Sequence, residues 1–228
     1  MRYALWVAVL MTTALPLPAE TIRIEADRDA TLIEDREGEL ANGSGPFFFA
    51  GRTSQAEGSI RRALLRFDVA GSLPEGAVIE KAALILFAAP GNTAPRLLSL
   101  HRVLSDWSEG PSFASGGGGA PSLEGDATWI HTSFDTDQWR RPGADFIEPP
   151  SASLEVAGTG AFTWETPRLR ADVQLWAAAP RRNFGWALLG DETMPQSSKS
   201  FASREHGSAD LRPVLEITFR EPAHPPGE

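Results

Sequence analysis

Apolar and polar positions alternate in short runs along most of the chain, and glycine and proline separate the runs. Thr21-Ile22-Arg23-Ile24-Glu25-Ala26 alternates strictly, the period-two pattern of a half-buried strand. Pro46 to Gly51 is a short aromatic run, and Arg62–Val69 and Val78–Ala88 are the strongest strand signals. The second of these is apolar at both odd and even positions, so a central strand is expected there. Ser72-Leu73-Pro74-Glu75-Gly76 between them is turn chemistry. Further strands are predicted at Arg96–Val103, Ala161–Glu165, Phe184–Gly190, Ser198–Glu205 and Val214–Arg220. Many strands with turn signals between them indicate a sandwich or barrel.

One segment changes period. Thr166-Pro167 offers a cap and a proline at the first helical position, and Leu169, Val173 and Trp176 follow at helical spacing. Pro180 stops the pattern, so one short amphipathic helix is predicted to cover an open end of the sandwich. Ser112–Gly125, with four consecutive glycines at 116–119, reads as a flexible loop projecting from the scaffold. Glu221–Glu228 reads as a disordered tail. At the other end, Arg2, the apolar run to Leu15 and the small residue Ala19 read as a signal peptide over residues 1–19. That run is short of the ~20 apolar residues of a membrane span, so no membrane insertion is expected.

With 42% hydrophobic residues in 228, the chain has enough apolar material for a substantial core. Cysteine is absent, which removes disulfides, thiol catalysis and most structural zinc sites. Loss of Arg2 with the leader takes the 21 basic residues to 20 against 30 acidic ones, a net charge of −10. That balance argues against nucleic acid as a partner.

Several segments together resemble the DNRLRE domain family, secreted bacterial jelly-roll domains similar to carbohydrate-binding modules. They are Ala26-Asp27, Ala63–Asp68, Leu73–Ala77 leading into Lys81–Leu84, His101-Arg102-Val103, and Trp107-Ser108-Glu109. Thr128-Trp129, Trp139–Phe146, Asn183–Trp186, Phe201–Glu205 and Arg212–Leu215 continue the series in order. The resemblance covers residues 20–220 and implies an all-β, jelly-roll-like antiparallel β-sandwich. It also implies an exported protein (extracellular, cell-surface or periplasmic) and, as for some members, an acidic polysaccharide such as alginate as partner.

Sugar recognition needs flat apolar platforms with polar groups at the edge. Trp164, Trp176 and Trp186 lie in apolar strand or helix patterns and are expected in the core. Trp107, Trp129 and Trp139 adjoin loop residues and are the candidate platforms, and Arg140 and Arg141 beside Trp139 could grip carboxylates. Arg66 shares a predicted strand face with Asp68; the two either form half of a ligand site or pair with Arg204 or Glu205 across strands. For a structural calcium ion, Asp27 and Asp68, with Asp29 and Asp35, are the candidate oxygen donors, although no calcium-loop spacing appears. No H-E-x-x-H, G-x-S-x-G or G-x-x-x-x-G-K-[ST] occurs, and the single tyrosine, Tyr3, lies in the leader. A non-catalytic protein is therefore expected, binding polysaccharide or serving as a structural or adhesive envelope or matrix protein that binds other proteins or itself.

Overall fold

The computed structural model describes residues 18–222. The expected leader therefore lies outside the described residues up to residue 17, and the expected tail does so from residue 223. In chain order the described residues form β1 (Glu20–Glu25), β2 (Arg28–Ile33), β3 (Leu40–Asn42), β4 (Phe47–Arg52), β5 (Ile60–Arg66), α1 (Val69–Ser72), β6 (Val78–Ala88) and β7 (Arg96–Arg102). There follow β8 (Ala120–Pro121), β9 (His131–Ser133), β10 (Asp137–Gln138), β11 (Ala152–Val156), β12 (Gly160–Glu165), α2 (Pro167–Ala178), β13 (Trp186–Leu189), β14 (Lys199–Ala202) and β15 (Val214–Arg220).

The fold is an antiparallel, jelly-roll-like β-sandwich. The first layer holds β12, β6, β15 and β1, with β14 continuing beside the end of β6. The second holds β11, β7, β13, β5, β2, β3 and β8. Strand β4 turns the corner between them: Phe47–Ala50 pair with β14, and Gly51–Arg52 pair with β5. Side chains alternate across each strand, so Leu84 and Leu86 of β6, Leu65 of β5, Leu98 and Leu100 of β7 and Leu188 of β13 meet in one core.

Strand β6 is central, with β12 and β15 on opposite sides. Its outer residues Ile85 and Phe87 are only half-buried, so its apolar character on that face does not make it a fully enclosed strand. The second layer is covered on its outer face as well, over β2, β5 and β13. Ala30, Leu32, Leu64 and Ala187 point away from the main core into a second cluster with Val103, Trp107, Ala127, Trp139 and Ala144. The segment from Val103 to Pro150, carrying the small β9–β10 hairpin, thus lies as a third layer over this face.

That layer includes the glycine-rich segment predicted to project, and the structure reverses the expectation. Ser112 and Ala114 are buried, and β8 pairs with β3. The Asn42 Oδ1 accepts from the Ala114 amide at 3.0 Å, and Gly43 and Ser44 donate to the Ser112 carbonyl. Arg61, wholly buried, donates to the carbonyls of Gly117, Gly58 and Ile60 and to Gln55. Burial lowers its pKa to about 10, which leaves the guanidinium charged at neutral pH. Glycine is required at 119, where φ is +80° and a Cβ would stand 2.1 Å from Ile33.

Helix α2 forms where predicted. The Thr166 hydroxyl accepts from the Leu169 amide at 3.0 Å, and Pro167 occupies the first turn. Leu169, Val173 and Trp176 enter the main core, and Trp176 packs on Trp186 with ring centroids 4.4 Å apart. Asp172 on the same helix face accepts from Trp186 Nε1 at 3.0 Å and from Arg102 Nε at 3.0 Å, and also from Ser151. No helix among the described residues is long and apolar enough to cross a membrane.

The two packed tryptophans differ in one respect: Trp186 Nε1 has the Asp172 partner, whereas Trp176 Nε1 is buried without one among the described residues. Trp186→Phe should therefore destabilise more than Trp176→Phe, by about 1.5–3 kcal/mol for a bond to a charged acceptor. Equilibrium urea unfolding measures the difference, and equal losses would show that the indole–carboxylate bond contributes nothing.

Candidate functional site

The three candidate platform tryptophans are all engaged inside the third layer or beside it. Trp107 is 2% exposed and Trp139 is 6% exposed, and both belong to the second apolar cluster. Their indole N–H groups donate to the carbonyls of Phe184 and Thr128, each at 2.9 Å. Neither ring is available for a sugar to stack on. The sequence signal misled here because these loops cover an apolar sheet face, and large rings are what fills such a layer. Trp129 is half-buried, with the Arg62 guanidinium 4.8 Å from its ring centroid.

Arg140 and Arg141, in contrast, are exposed. Their loop is held rigidly from below. The Asp145 carboxylate accepts from the amides of Arg140 and Arg141, at 2.9 and 3.1 Å, and from the Ser105 hydroxyl at 3.2 Å. Gly143 has φ +84°, and a Cβ there would press on Arg62 and on the Trp129 ring at 2.8 Å. Ala144 adopts φ +82°, a strained left-handed conformation for a residue with a Cβ. Arg62 donates to the Gly143 carbonyl at 2.7 Å, forms a bidentate pair with Glu192 and lies 5.5 Å from the Phe146 ring centroid.

Between these parts is a depression of about 250 Å³ lined by Arg62, Leu104, Arg140, Arg141, Pro142 and Phe146, among others. Arg140 makes no ion pair among the described residues, and Arg141 has only a distant one, 3.8 Å to exposed Glu148. Leu104 is 45% exposed, unusual for a leucine beside two charges. The lining also carries two carboxylates: Asp145 is engaged by the loop amides, and Glu148 stands beside Arg141. Arg140, with no ion pair among the described residues, and the weakly paired Arg141 can bind a planar carboxylate beside Leu104, Pro142 and Phe146.

Arg66 lies elsewhere. Strand β5 ends at Arg66, and its guanidinium pairs with the Asp27 carboxylate rather than with Arg204 or Glu205. Asp68 falls beyond the strand and caps α1, accepting from the Gly71 amide at 3.1 Å, so the shared face of Arg66 and Asp68 is not formed. Asp35 accepts from the Glu39 amide. The acids Asp27, Asp35 and Asp68 each have such local work and do not converge.

A different acidic group does converge. Oxygens of Asp29, Glu109 and Glu205 lie within 4.8 Å of one another. The Asp29 amide donates to Glu109 at 2.8 Å, and Asp29 accepts from the Arg204 amide at 2.7 Å. The Arg204 Nη1 donates to both Glu109 and Glu205 at 2.9 Å. One Glu205 oxygen is buried with no partner among the described residues. Glu109 and Glu205 were not singled out as ligands from the sequence, although Trp107-Ser108-Glu109 and Ser203-Arg204-Glu205 carry part of the family resemblance. The cluster supplies few of the six to eight oxygens that calcium takes, and Arg204 competes for them.

Burial pushes the Asp29 carboxyl well above the ordinary carboxylate range, against the Arg204 amide that favours its charged form. Burial also raises Glu109 and Glu205, opposed by the Asp29 amide at the first and by the Arg204 charge at the second. The group is a clasp joining β2, the third layer and the β14–β15 connection. No protein-family model matches the chain, and no curated protein matches it.

Raised carboxyl pKa values mean that the folded state holds extra protons above the ordinary carboxylate range. The clasp then contributes most below that range and loses its contribution as pH rises through the raised values. Asp29→Asn removes one of these protons from the balance while its side-chain oxygen can still accept from Arg204. The variant should gain stability relative to the parent as pH rises through this window, by up to about 1.4 kcal/mol per pH unit for one proton. Urea unfolding at a series of pH values reads the difference, and a pH-independent difference would show that Asp29 stays charged throughout.

Proposed function

We propose that the protein is an exported, non-catalytic module that binds acidic polysaccharide at the Arg140–Arg141 depression. The observation that carries this reading is the pair of exposed, under-paired guanidinium groups above Leu104, Pro142 and Phe146. Support for export comes from the leader pattern of residues 1–19 and from the family resemblance. Uronate rings match the depression chemically: the carboxylate accepts from arginine, and the ring's C–H face covers apolar side chains. The loop is ordered by Asp145, Gly143 and Arg62 before any ligand arrives, which lowers the entropic cost of binding. The buried Trp107 and Trp139 act in this reading as the loop's foundation, with the arginines as the contact surface.

A second reading, a structural or adhesive protein that binds proteins or itself, is favoured by the same buried tryptophans together with exposed Leu97 and Phe113, at 62% and 61%.

Retention of the protein on immobilised alginate, pectin, glycosaminoglycans and neutral glucans, with and without calcium, tests both readings. Acidic glycans should retain it, with weaker retention as salt rises. The Arg140→Ala, Arg141→Ala double variant should lose at least about tenfold in affinity. Failure of every acidic glycan to retain a folded sample, with concentration-dependent self-association in sedimentation, would replace this reading by the adhesive one.

A further inference from the structure

Phe49 stands on the outer face of β4, opposite to Phe48 and Ala50, and belongs to neither apolar cluster. Beside it is a groove of about 330 Å³, also lined by Arg52, Asn92, Gln196, Ser198 and Ser200. That volume falls at the lower end of the ~300–1,000 Å³ typical of small-molecule sites. One glycine, Gly117, keeps a side chain away from the ring, and a second, Gly91, lines the open part of the groove. A Cβ on Gly117 would lie 3.3 Å from Phe49, and one on Gly91 would meet nothing within 4 Å.

The polar part of the lining is built and partly unsatisfied. Gln196 is held at φ +58°, a conformation that residues with a Cβ adopt mainly where the surroundings impose it. Its carbonyl accepts from the Asn92 side chain and its amide donates to Thr53. The Ser198 hydroxyl is buried and has no hydrogen-bond partner among the described residues. It has a single χ angle, so a ligand hydroxyl in the groove can draw it into a bond that the protein leaves unmade. Arg52 is the one charged side chain of the lining, and its Nη1 already donates to the Glu192 carbonyl at 3.4 Å.

An aromatic ring bordered by hydroxyls and carboxamides, with almost no charge, is the chemistry of an uncharged polyol ring. We infer that the Phe49 groove is a second ligand site, separate from the arginine depression, that takes one neutral pyranose unit. It goes beyond the acidic-polysaccharide reading and does not depend on it. The loop carrying Glu192 lies between the two, since its carbonyl meets Arg52 of this groove and its carboxylate meets Arg62 of the depression.

The test is a titration of the ¹⁵N-labelled full chain with cellohexaose, laminarihexaose and mannohexaose, followed by amide chemical shifts. At least one should move the amides of Phe49, Asn92, Gln196 and Ser198 in a saturable manner. Phe49→Ala should weaken that binding at least about tenfold. Gly91→Phe, at a lining position where an added Cβ meets nothing within 4 Å, should block it while leaving the protein folded, as the melting temperature would show. The Arg140→Ala, Arg141→Ala double variant should bind the neutral sugar as the parent does. No saturable shift with any of the three, shifts that map to other residues, or full binding by folded Gly91→Phe would each overturn the inference.

Discussion

The structure depends on one requirement: the second layer of the sandwich carries apolar residues on both faces, and only one face meets the first layer. Ala30, Leu32, Leu64 and Ala187 need a cover, and the chain supplies it with an irregular segment rather than a sheet or helix. An irregular backbone cannot satisfy its own amides and carbonyls, so buried side chains must do it. Arg61, Asn42, Asp126, Thr128 and Asp145 do this work: Asp126 accepts from Ser112 and Leu123, and Thr128 Oγ1 from Ile130 and His131. This is why a wholly buried arginine faces carbonyls and an amide oxygen and has no carboxylate bonded to it.

The same requirement explains what could be read in advance. Strands β1, β4 to β7 and β12 to β15 were legible, because alternation and flanking turns are local signals that packing then reinforces. Helix α2 was legible for its cap, its proline and its spacing. Strand β2 was not: Arg28, Asp29 and Thr31 break its apolar pattern, and Asp29 and Thr31 are buried because they bond to residues distant in sequence. The glycine run at 116–119 looked mobile by composition, whereas a guanidinium from β5 holds it down. Trp107 and Trp139 looked like platforms because no periodic pattern surrounds them, and nothing local announces that a sheet face lies beneath.

Of the candidate site, the adjacent arginines were visible as a pair, and their exposure agrees with their sequence setting. The depression itself was not visible, since Arg62 and Leu104 come from a strand and a loop far from residue 140. The acidic clasp was beyond reach in the same way: Asp29 and Glu109 are 80 residues apart and meet only through the third layer. Convergence of this kind arises from tertiary structure, and a single sequence contains its members without their geometry.

The third layer is fastened to the sandwich at separate points, among them the Arg61 guanidinium, the Asn42 amide and the Asp29–Glu109–Arg204 clasp. A cover attached at separate points is the kind of unit that opens subglobally before the sheets separate, and amide exchange would read that opening. What it uncovers is an apolar patch of Ala30, Leu32, Leu64 and Ala187 from three strands, flanked on β5 by Arg62 and Arg66. The aggregation hazard of this protein therefore lies in a half-opened molecule whose sheets are intact, and fastening the cover protects against association as much as against unfolding.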